Sequence, residues 1–440
     1  MQNDKTTLRD LSIFTSDGSG GIFALLDHTA TQVGRDALRR HIQHPPDTYE
    51  RLTEVQDAIR FLAKHPGIWP KIILNGTLVM LDKFYESADN ISAPPTGVMV
   101  LFSAFIQKVL NKQEYFFTQF SLSHLSDFLK GCAELATIAD MPGVPTLLQK
   151  EAELIHEDLA HRLTPEITAI SKNTKYAELA QLSYKARREM KTTVYRLIAS
   201  YAKLDAWNAM ATATVANKWV FPALQPSLPV SFEAVGIRHP LLRQPTPYDI
   251  TFRGTNFLLL TGANMSGKTT FMRALGVAAL LAHLGMGVPA QSLSISFLQG
   301  IITNMQAEDN IMRGESYFFA EVQRMKQTAE KLSRQQPHLV LMDELFKGTN
   351  VHDAFECTKA VVEGLLNHPD HLMILSTHLY EVAQQFRSRE NILFSYFVTD
   401  LSKDGHYEFT YELREGISND RIGYLILQKE GVISLLNRKQ

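Results

Sequence analysis

The sequence predicts an all-α region over residues 1–234 followed by an α/β domain over residues 235–440. Three observations carry that reading. The first region repeats apolar residues at three- and four-residue spacing between breaks marked by Pro and Gly. Near Phe221–Pro240 the texture changes: Pro222, Pro226, Pro229 and Pro240 cluster, and short apolar runs begin to alternate with helical patterns. Within the second region a glycine-rich segment, Gly262–Thr269, is entered by an apolar run and left by a helical pattern.

Composition bounds the remaining choices. At 440 residues the chain can bury more than one core, on a prior of roughly 150 residues per domain. Lys and Arg total 44 against 46 Asp and Glu, so any nucleic-acid contact must come from a local patch rather than a polybasic chain. Cys132 and Cys357 are too few for a disulfide framework or a zinc site of their own and read as core thiols in a reducing compartment. Met1–Asp10 is polar, unlike a signal peptide. The longest mainly apolar stretches, Gly97–Ile106 and Val277–Leu284, fall short of the roughly 20 residues of a bilayer span. The expectation is a soluble cytoplasmic protein with no membrane partner.

Helices are predicted over Asp36–Ile42, Tyr49–Leu62, Ser121–Ile138 and Thr146–Leu163, separated by Pro45-Pro46, Pro66-Gly67, Pro94-Pro95 and Pro142-Gly143. Glu166–Phe221 contains neither Gly nor Pro, and its centre, Tyr176–Ala216, predicts one long helix. At about 1.5 Å per residue such a helix is a lever or strut. It carries a basic cluster, Lys185, Arg187, Arg188, Lys191 and Arg196, opposed by Glu189. That cluster is either a solvated helix face or a set of phosphate contacts to DNA. In the second region, Phe257–Leu260, Ile301–Asn304, His338–Met342 and His371–Ser376 read as buried strands. Helical stretches between them predict a parallel sheet with crossover helices.

Three motifs suggest chemistry. Gly262-Ala263-Asn264-Met265-Ser266-Gly267-Lys268-Thr269 fits the phosphate-binding pattern G-x-x-x-x-G-K-[ST], continuing into Thr270. In such a loop, backbone amides and the helix N-terminus face phosphate oxygens, Lys268 bridges the outer phosphates, and Thr269 holds Mg²⁺. The strand His338–Met342 runs into Asp343 and Glu344. Asp343 is suited to Mg²⁺ and Glu344 to general-base activation of water; the alternative is a solvated acid pair. A third strand ends in Ser376-Thr377-His378, where His378 can donate a hydrogen bond to a γ-phosphate or be an ordinary surface histidine.

These residues resemble the MutS family of DNA mismatch-repair and related ATPases, within the ABC-type ATPase superfamily. Thr261-Gly-Ala-Asn-Met-Ser-Gly-Lys-Thr-Thr-Phe-Met-Arg273 is similar to the family's TGPNMxGKSTxxR loop, with Ala263 in place of proline. Asp343-Glu-Leu-Phe-Lys-Gly-Thr349 with Asp353, Ser376-Thr377-His378, and Gly314-Glu-Ser-Tyr-Phe318 with Glu321 resemble further family segments. So does the closing Tyr411-x-Leu413…Gly416-x-Ser418…Gly423…Gly431-Val432. In the helical half, Leu26-Asp27-x-Thr29-x-Thr31-x-x-Gly34…Leu38-Arg39…Pro45 is a looser match to the family's core segment, and Glu178–Val220 resembles its lever.

The resemblance implies an α/β P-loop (ABC-type) ATPase domain preceded by an all-α core and lever domain. It implies ATP and Mg²⁺ as ligands, Ser316 acting in trans across an ATP-favoured homodimer, and DNA as a partner. Tyr248 is the candidate adenine stacker, the alternative being a half-buried loop tyrosine. Three family parts are not expected here: a mismatch-reading domain before the core, a DNA clamp, for which Thr164–Lys175 is too short, and a C-terminal dimerisation segment. The expected function is therefore an ATP-hydrolysing MutS-like protein acting on mismatched or branched DNA in repair or recombination. A partner protein could supply the missing recognition parts. The alternative is a nucleotide-gated module that moves a protein partner without touching DNA.

Overall fold

The computed structural model describes residues 3–15, 20–86, 112–171, 173–252, 254–305, 317–334, 336–401, 407–418 and 432–436. Ser316, the apolar run 97–106 and the closing glycines at 423 and 431 lie outside the described residues. The chain forms two compact units. One is helical, residues 26–42 and 54–215; the other gathers residues 1–25, 43–53 and 216–440. The units thus do not break once at residue 234 as the sequence predicts. Among the described residues no helix is long and apolar enough to cross a membrane.

The N-terminal residues account for part of the difference. Helix α1 (Lys5–Asp10), capped by Asp4, precedes α2 (Gly21–Leu26). Within the α/β unit, the Asn3 side chain accepts a hydrogen bond from the Ile301 amide at 3.1 Å, and Thr7 Oγ1 donates to the Ile301 carbonyl at 3.3 Å. Buried Asp10 accepts from Thr303 Oγ1 at 2.7 Å. These contacts cover the edge of the strand Gly300–Asn304, whose unpaired backbone would otherwise be exposed.

The helical unit contains α3 (Gln32–Gln43) but for its last residue, α4 (Tyr49–Lys64) from residue 54 on, α5 (Asn75–Glu86), α6 (Lys112–Ala136), α7 (Thr146–Leu159) and α8 (Thr164–Thr168). Then come α9 (Tyr176–Lys185) and α10 (Lys191–Ala216), joined by the π-helical turn Ala186–Met190. The predicted Tyr176–Ala216 helix therefore exists, widened by one turn. Val194, Leu197, Tyr201 and Leu204 form its buried side at three- and four-residue spacing. A polar cluster anchors it to the segment before α3. Fully buried Asp205 accepts from the Ala30 amide at 2.9 Å, the Thr31 amide at 3.1 Å and Thr31 Oγ1 at 2.7 Å. A Cβ on Gly34 would come within 1.9 Å of Asp205 Oδ2, so only glycine fits. Asp27 accepts from Thr29 Oγ1 at 2.7 Å and pairs with Arg35 at 2.8 Å. The Asp27–Gly34 pattern is thus a clamp on the long helix.

Among the described residues the α/β unit has ten strands: β1 (Ala223–Gln225), β2 (Phe232–Ile237), β3 (Tyr248–Phe252), β4 (Phe257–Thr261), β5 (Ser292–Ser296), β6 (Gly300–Asn304), β7 (His338–Asp343), β8 (Leu372–Ser376), β9 (Ile392–Leu401) and β10 (Tyr407–Glu415). Its longer helices are α11 (Lys268–His283), α12 (Tyr317–Leu332) and α13 (Val351–Leu365), followed by α14 (Tyr380–Gln385) and α15 (Val432–Leu436). The main sheet has the order β10-β9-β4-β8-β7-β6, parallel except for the β9–β10 pair. A smaller sheet, β1-β5-β2-β3, has no counterpart in the sequence reading. β4, β7 and β8 are buried along their whole length, as expected of a parallel sheet covered on both faces. Ser376 pairs with both Leu260 and Asp343, which aligns the C-terminal ends of three strands.

Candidate functional site

That alignment brings the three chemical motifs together. β4 leads into the glycine-rich turn, where Gly262 and Gly267 have φ of 135° and 110°, a region that L side chains rarely adopt. Gly267 caps α11, whose first amides have no partner within the helix. Lys268 folds back into the turn, donating from Nζ to the Gly262 carbonyl at 2.8 Å and the Ala263 carbonyl at 2.9 Å. The Ser266 hydroxyl is buried without a hydrogen-bond partner. Met265 has a left-handed φ of 69° and is 74% exposed, so it covers no core surface.

Thr269 Oγ1 donates to Asp343 Oδ2 at 2.6 Å, and Ser376 Oγ donates to the other oxygen of the same carboxylate. The next residue, Glu344, has a left-handed φ of 53°, and its amide donates to the Ser376 carbonyl at 3.0 Å. Its carboxylate lies 3.0 Å from Lys347 Nζ, 3.7 Å from Lys268 Nζ and 3.8 Å from His378 Nδ1. Burial pushes the Glu344 carboxyl up, but these neighbours outweigh it and hold it below the usual range. Burial lowers the Lys268 ammonium, opposed by Glu344 and Asp343. His378 is half exposed at the rim.

Two predicted residues are placed differently. Tyr248 is 7% exposed, with Phe271 at 5.2 Å and Phe397 at 5.7 Å, both edge-on. It packs into an aromatic cluster and offers no open ring face, so it is not an adenine stacker. Tyr411, a residue not singled out for this role, has a left-handed φ of 55° and is 45% exposed. Its Cδ1 would lie 3.2 Å from a Cβ on Gly267, which puts its ring beside the turn. In the basic cluster, Arg187 is 4% exposed, with its guanidinium 4.2 Å from the Phe84 ring centre. It is a core cation on an aromatic face, unavailable to DNA. Arg188 is exposed and donates to the Tyr184 hydroxyl at 2.8 Å. Lys185 and Lys191 are half-buried, Arg196 pairs with Asp158, and Glu189 pairs with Arg162.

The family model for MutS domain V matches residues 258–434, a span that holds the glycine-rich turn, the acid pair and His378. That stretch is similar to MutS domain V. Among its relatives, DNA mismatch repair protein MutS of Chloroflexus aurantiacus is 31% identical over 245 residues, covering 53% of this chain and 25% of that protein. DNA mismatch repair protein msh3 of Aspergillus fumigatus is 31% identical over 239 residues, covering 51% of this chain and 21% of that one. The MutS of Anaplasma phagocytophilum is 24% identical over 513 aligned residues, covering 96% of this chain and 61% of the relative. The MutS resemblance thus extends through the helical unit, while the chain spans about a quarter of the Chloroflexus protein's length.

Proposed function

We propose that the α/β unit is an ABC-type P-loop domain that binds ATP and hydrolyses it with Mg²⁺, and that this cycle governs action on DNA in mismatch repair or a related process. The observation that carries the reading is the shared register of β4, β8 and β7, which sets Lys268, Thr269, Asp343, Glu344 and His378 at one end of the sheet. The residues fit the ligands. The orphaned Ser266 hydroxyl, the unpartnered amides of the first turn of α11 and the left-handed glycines form a cradle suited to phosphate oxygens. The Thr269 hydroxyl and Asp343 carboxylate are hard oxygen donors suited to Mg²⁺. Among the described residues no three His, Cys, Asp or Glu side chains converge to hold a metal, so the ion would draw its remaining oxygens from ATP and water.

The loop from Gly262 to Thr270 holds the phosphates, and Lys268 exchanges its loop carbonyls for outer phosphate oxygens. Bound Mg²⁺ would neutralise charge on those oxygens. Glu344, kept ionised by Lys347, Lys268 and His378, takes a proton from the attacking water. His378 donates to the γ-phosphate from the rim. Tyr411, beside Gly267, is the aromatic placed to stack on adenine. Ser316 completes the site of an opposing subunit, and the exposed Phe319 and Val322 of α12 supply apolar surface for an ATP-favoured homodimer.

The DNA part of the proposal is supported by the relatives, described as DNA mismatch repair proteins. The second reading, a module that moves a protein partner, is favoured by the burial of Arg187 and the internal pairing around the basic helix face. Hydrolysis with and without Mg²⁺, for the wild-type chain and Lys268→Ala, tests the ATPase. Salt titration of binding to mismatched, branched and homoduplex DNA, with and without ATP, tests the partner. Mg²⁺-dependent turnover abolished by Lys268→Ala, with salt-sensitive preference for mismatched or branched DNA, is expected. Turnover without such binding transfers the proposal to a protein partner, and no turnover refutes the ATPase.

A further inference from the structure

The turn that follows Glu344 is held in a conformation its sequence does not favour. Glu344 and Phe346 have φ of 53° and 62°, and neither is glycine. Such residues persist in the left-handed region only where their surroundings over-determine them. Part of that determination is visible in the core: Phe346 is 4% exposed and its ring lies 5.9 Å from Phe318 of α12. Another part is the Ser376 carbonyl, which receives the Glu344 amide. A third part comes from one side chain. The two oxygens of Glu321, on α12, accept from the Lys347 amide and the Gly348 amide at 3.2 Å each, and the Phe346 amide also faces the carboxylate. Consecutive amides around a left-handed residue form an anion-binding nest, and here the anion belongs to the protein.

We propose that Glu321 is a positioning residue for hydrolysis: by filling the nest of amides 346–348 it sets the turn that aims the Glu344 carboxylate into the site. It rests on the reading of Glu344 as the base that activates water. Glu321 acts through the backbone amides it accepts from. The two-oxygen form of a carboxylate matters because two amides must be served at once. Glutamine retains one acceptor and turns an NH₂ group toward the second amide; alanine serves neither. The same turn carries Lys347, whose Nζ lies 3.0 Å from Glu344, so loosening the nest displaces both the base and the cation that keeps it ionised.

The test uses the full chain as wild type, E321A and E321Q, with four readouts: steady-state Mg·ATP hydrolysis, affinity for a fluorescent ATP analogue, hydrogen exchange of the 344–350 amides without nucleotide, and thermal melting. In E321A, kcat should fall about tenfold or more while KM and analogue affinity stay within about threefold, because positioning is lost and ground-state binding is kept. E321Q should lie between E321A and wild type. Exchange at 346–348 should accelerate in the same order. Unchanged kcat in a folded E321A, or a loss confined to KM, overturns the proposal. If E321A does not melt cooperatively, E321Q decides, and wild-type kcat in that variant overturns it. If the wild-type chain itself turns over no ATP, the ATPase reading fails. The exchange measurement then still decides whether Glu321 sets the turn, and unchanged exchange contradicts it.

Discussion

Asp205 in the helical unit and Asp343 in the α/β unit are both buried, and each draws together segments distant in sequence, yet their partners differ. Asp205 is served by two backbone amides and one hydroxyl, and Gly34 leaves no room for even a methyl group beside it. Backbone donors in a packed segment cannot be redirected, so this cluster is closed. Asp343 is served by two hydroxyls, Thr269 and Ser376, which can rotate toward another ligand. Around it stand a buried lysine, a second carboxylate on left-handed backbone and an orphaned serine hydroxyl. On the proposed function, burial and satisfied hydrogen bonds do not separate a structural aspartate from a functional one. The exchangeability of the partners and the unspent charge beside them do.

Exchanging the two aspartates' fates is the strongest way to break that comparison. Asp343→Asn should lower turnover by about a hundredfold or more, the scale of one lost transition-state contact, while the melting temperature stays near wild type. Gly34→Ala should do the reverse. Its Cβ meets the Asp205 carboxylate at 1.9 Å, and overpacking of this kind costs roughly 1–3 kcal/mol. Thermal melts and hydrolysis assays on both variants check the pair. A destabilised Asp343→Asn, or a Gly34→Ala that melts with wild type, would erase the distinction.

Acid should sharpen the same contrast with a smaller effect. In the α/β unit, burial pushes His239, His283 and His338 down to about 4, with Arg273 adding to the shift at His239. His283 is held neutral between the Ala279 carbonyl at 2.7 Å and the Leu298 amide at 2.8 Å. A folded-state value below the usual one makes the neutral ring the native form. Its contribution is complete above about 6.5, the ordinary histidine value, and is lost as the pH falls toward 4. Burial raises the Asp205 carboxyl instead, so acid favours its folded, protonated form. Melting between pH 7 and pH 4 should therefore show the α/β unit losing stability first, followed by fragments protected from proteolysis. Simultaneous loss of both units, or loss of the helical unit first, would contradict this assignment.

The proposed catalytic half of the site was legible because its residues occupy fixed spacings at the ends of three buried strands. A continuous apolar run sets each strand, and the chemistry begins where the run ends, as at Thr261–Gly262, Met342–Asp343 and Leu375–Ser376. The long helix was legible from its unbroken periodicity. Contacts made across large sequence separations were not. Asp205 meets Thr31 and Asp10 meets Thr303 only after folding, and no local pattern marks either pair. Arg187 sits in a charge run, and only the π-helical turn that directs it onto Phe84 distinguishes it from its solvated neighbours. The placement of Tyr248 and Tyr411 was hidden for a similar reason. The tyrosine nearest before β4 in sequence packs against Phe271 and Phe397, while the antiparallel strand β10 carries the other beside Gly267.

The most direct test of the account is Glu344→Gln, assayed for Mg·ATP binding at equilibrium and for turnover on the same preparation. Lys268, Thr269 and the glycine-rich turn remain intact in this variant, so affinity should stay within about threefold of wild type. Loss of the water-activating carboxylate should reduce turnover by about a hundredfold or more. Equal hydrolysis rates in wild type and Glu344→Gln would remove Glu344 from the chemistry and contradict the reading of this sheet end as an ATPase site built on the strand-end acids.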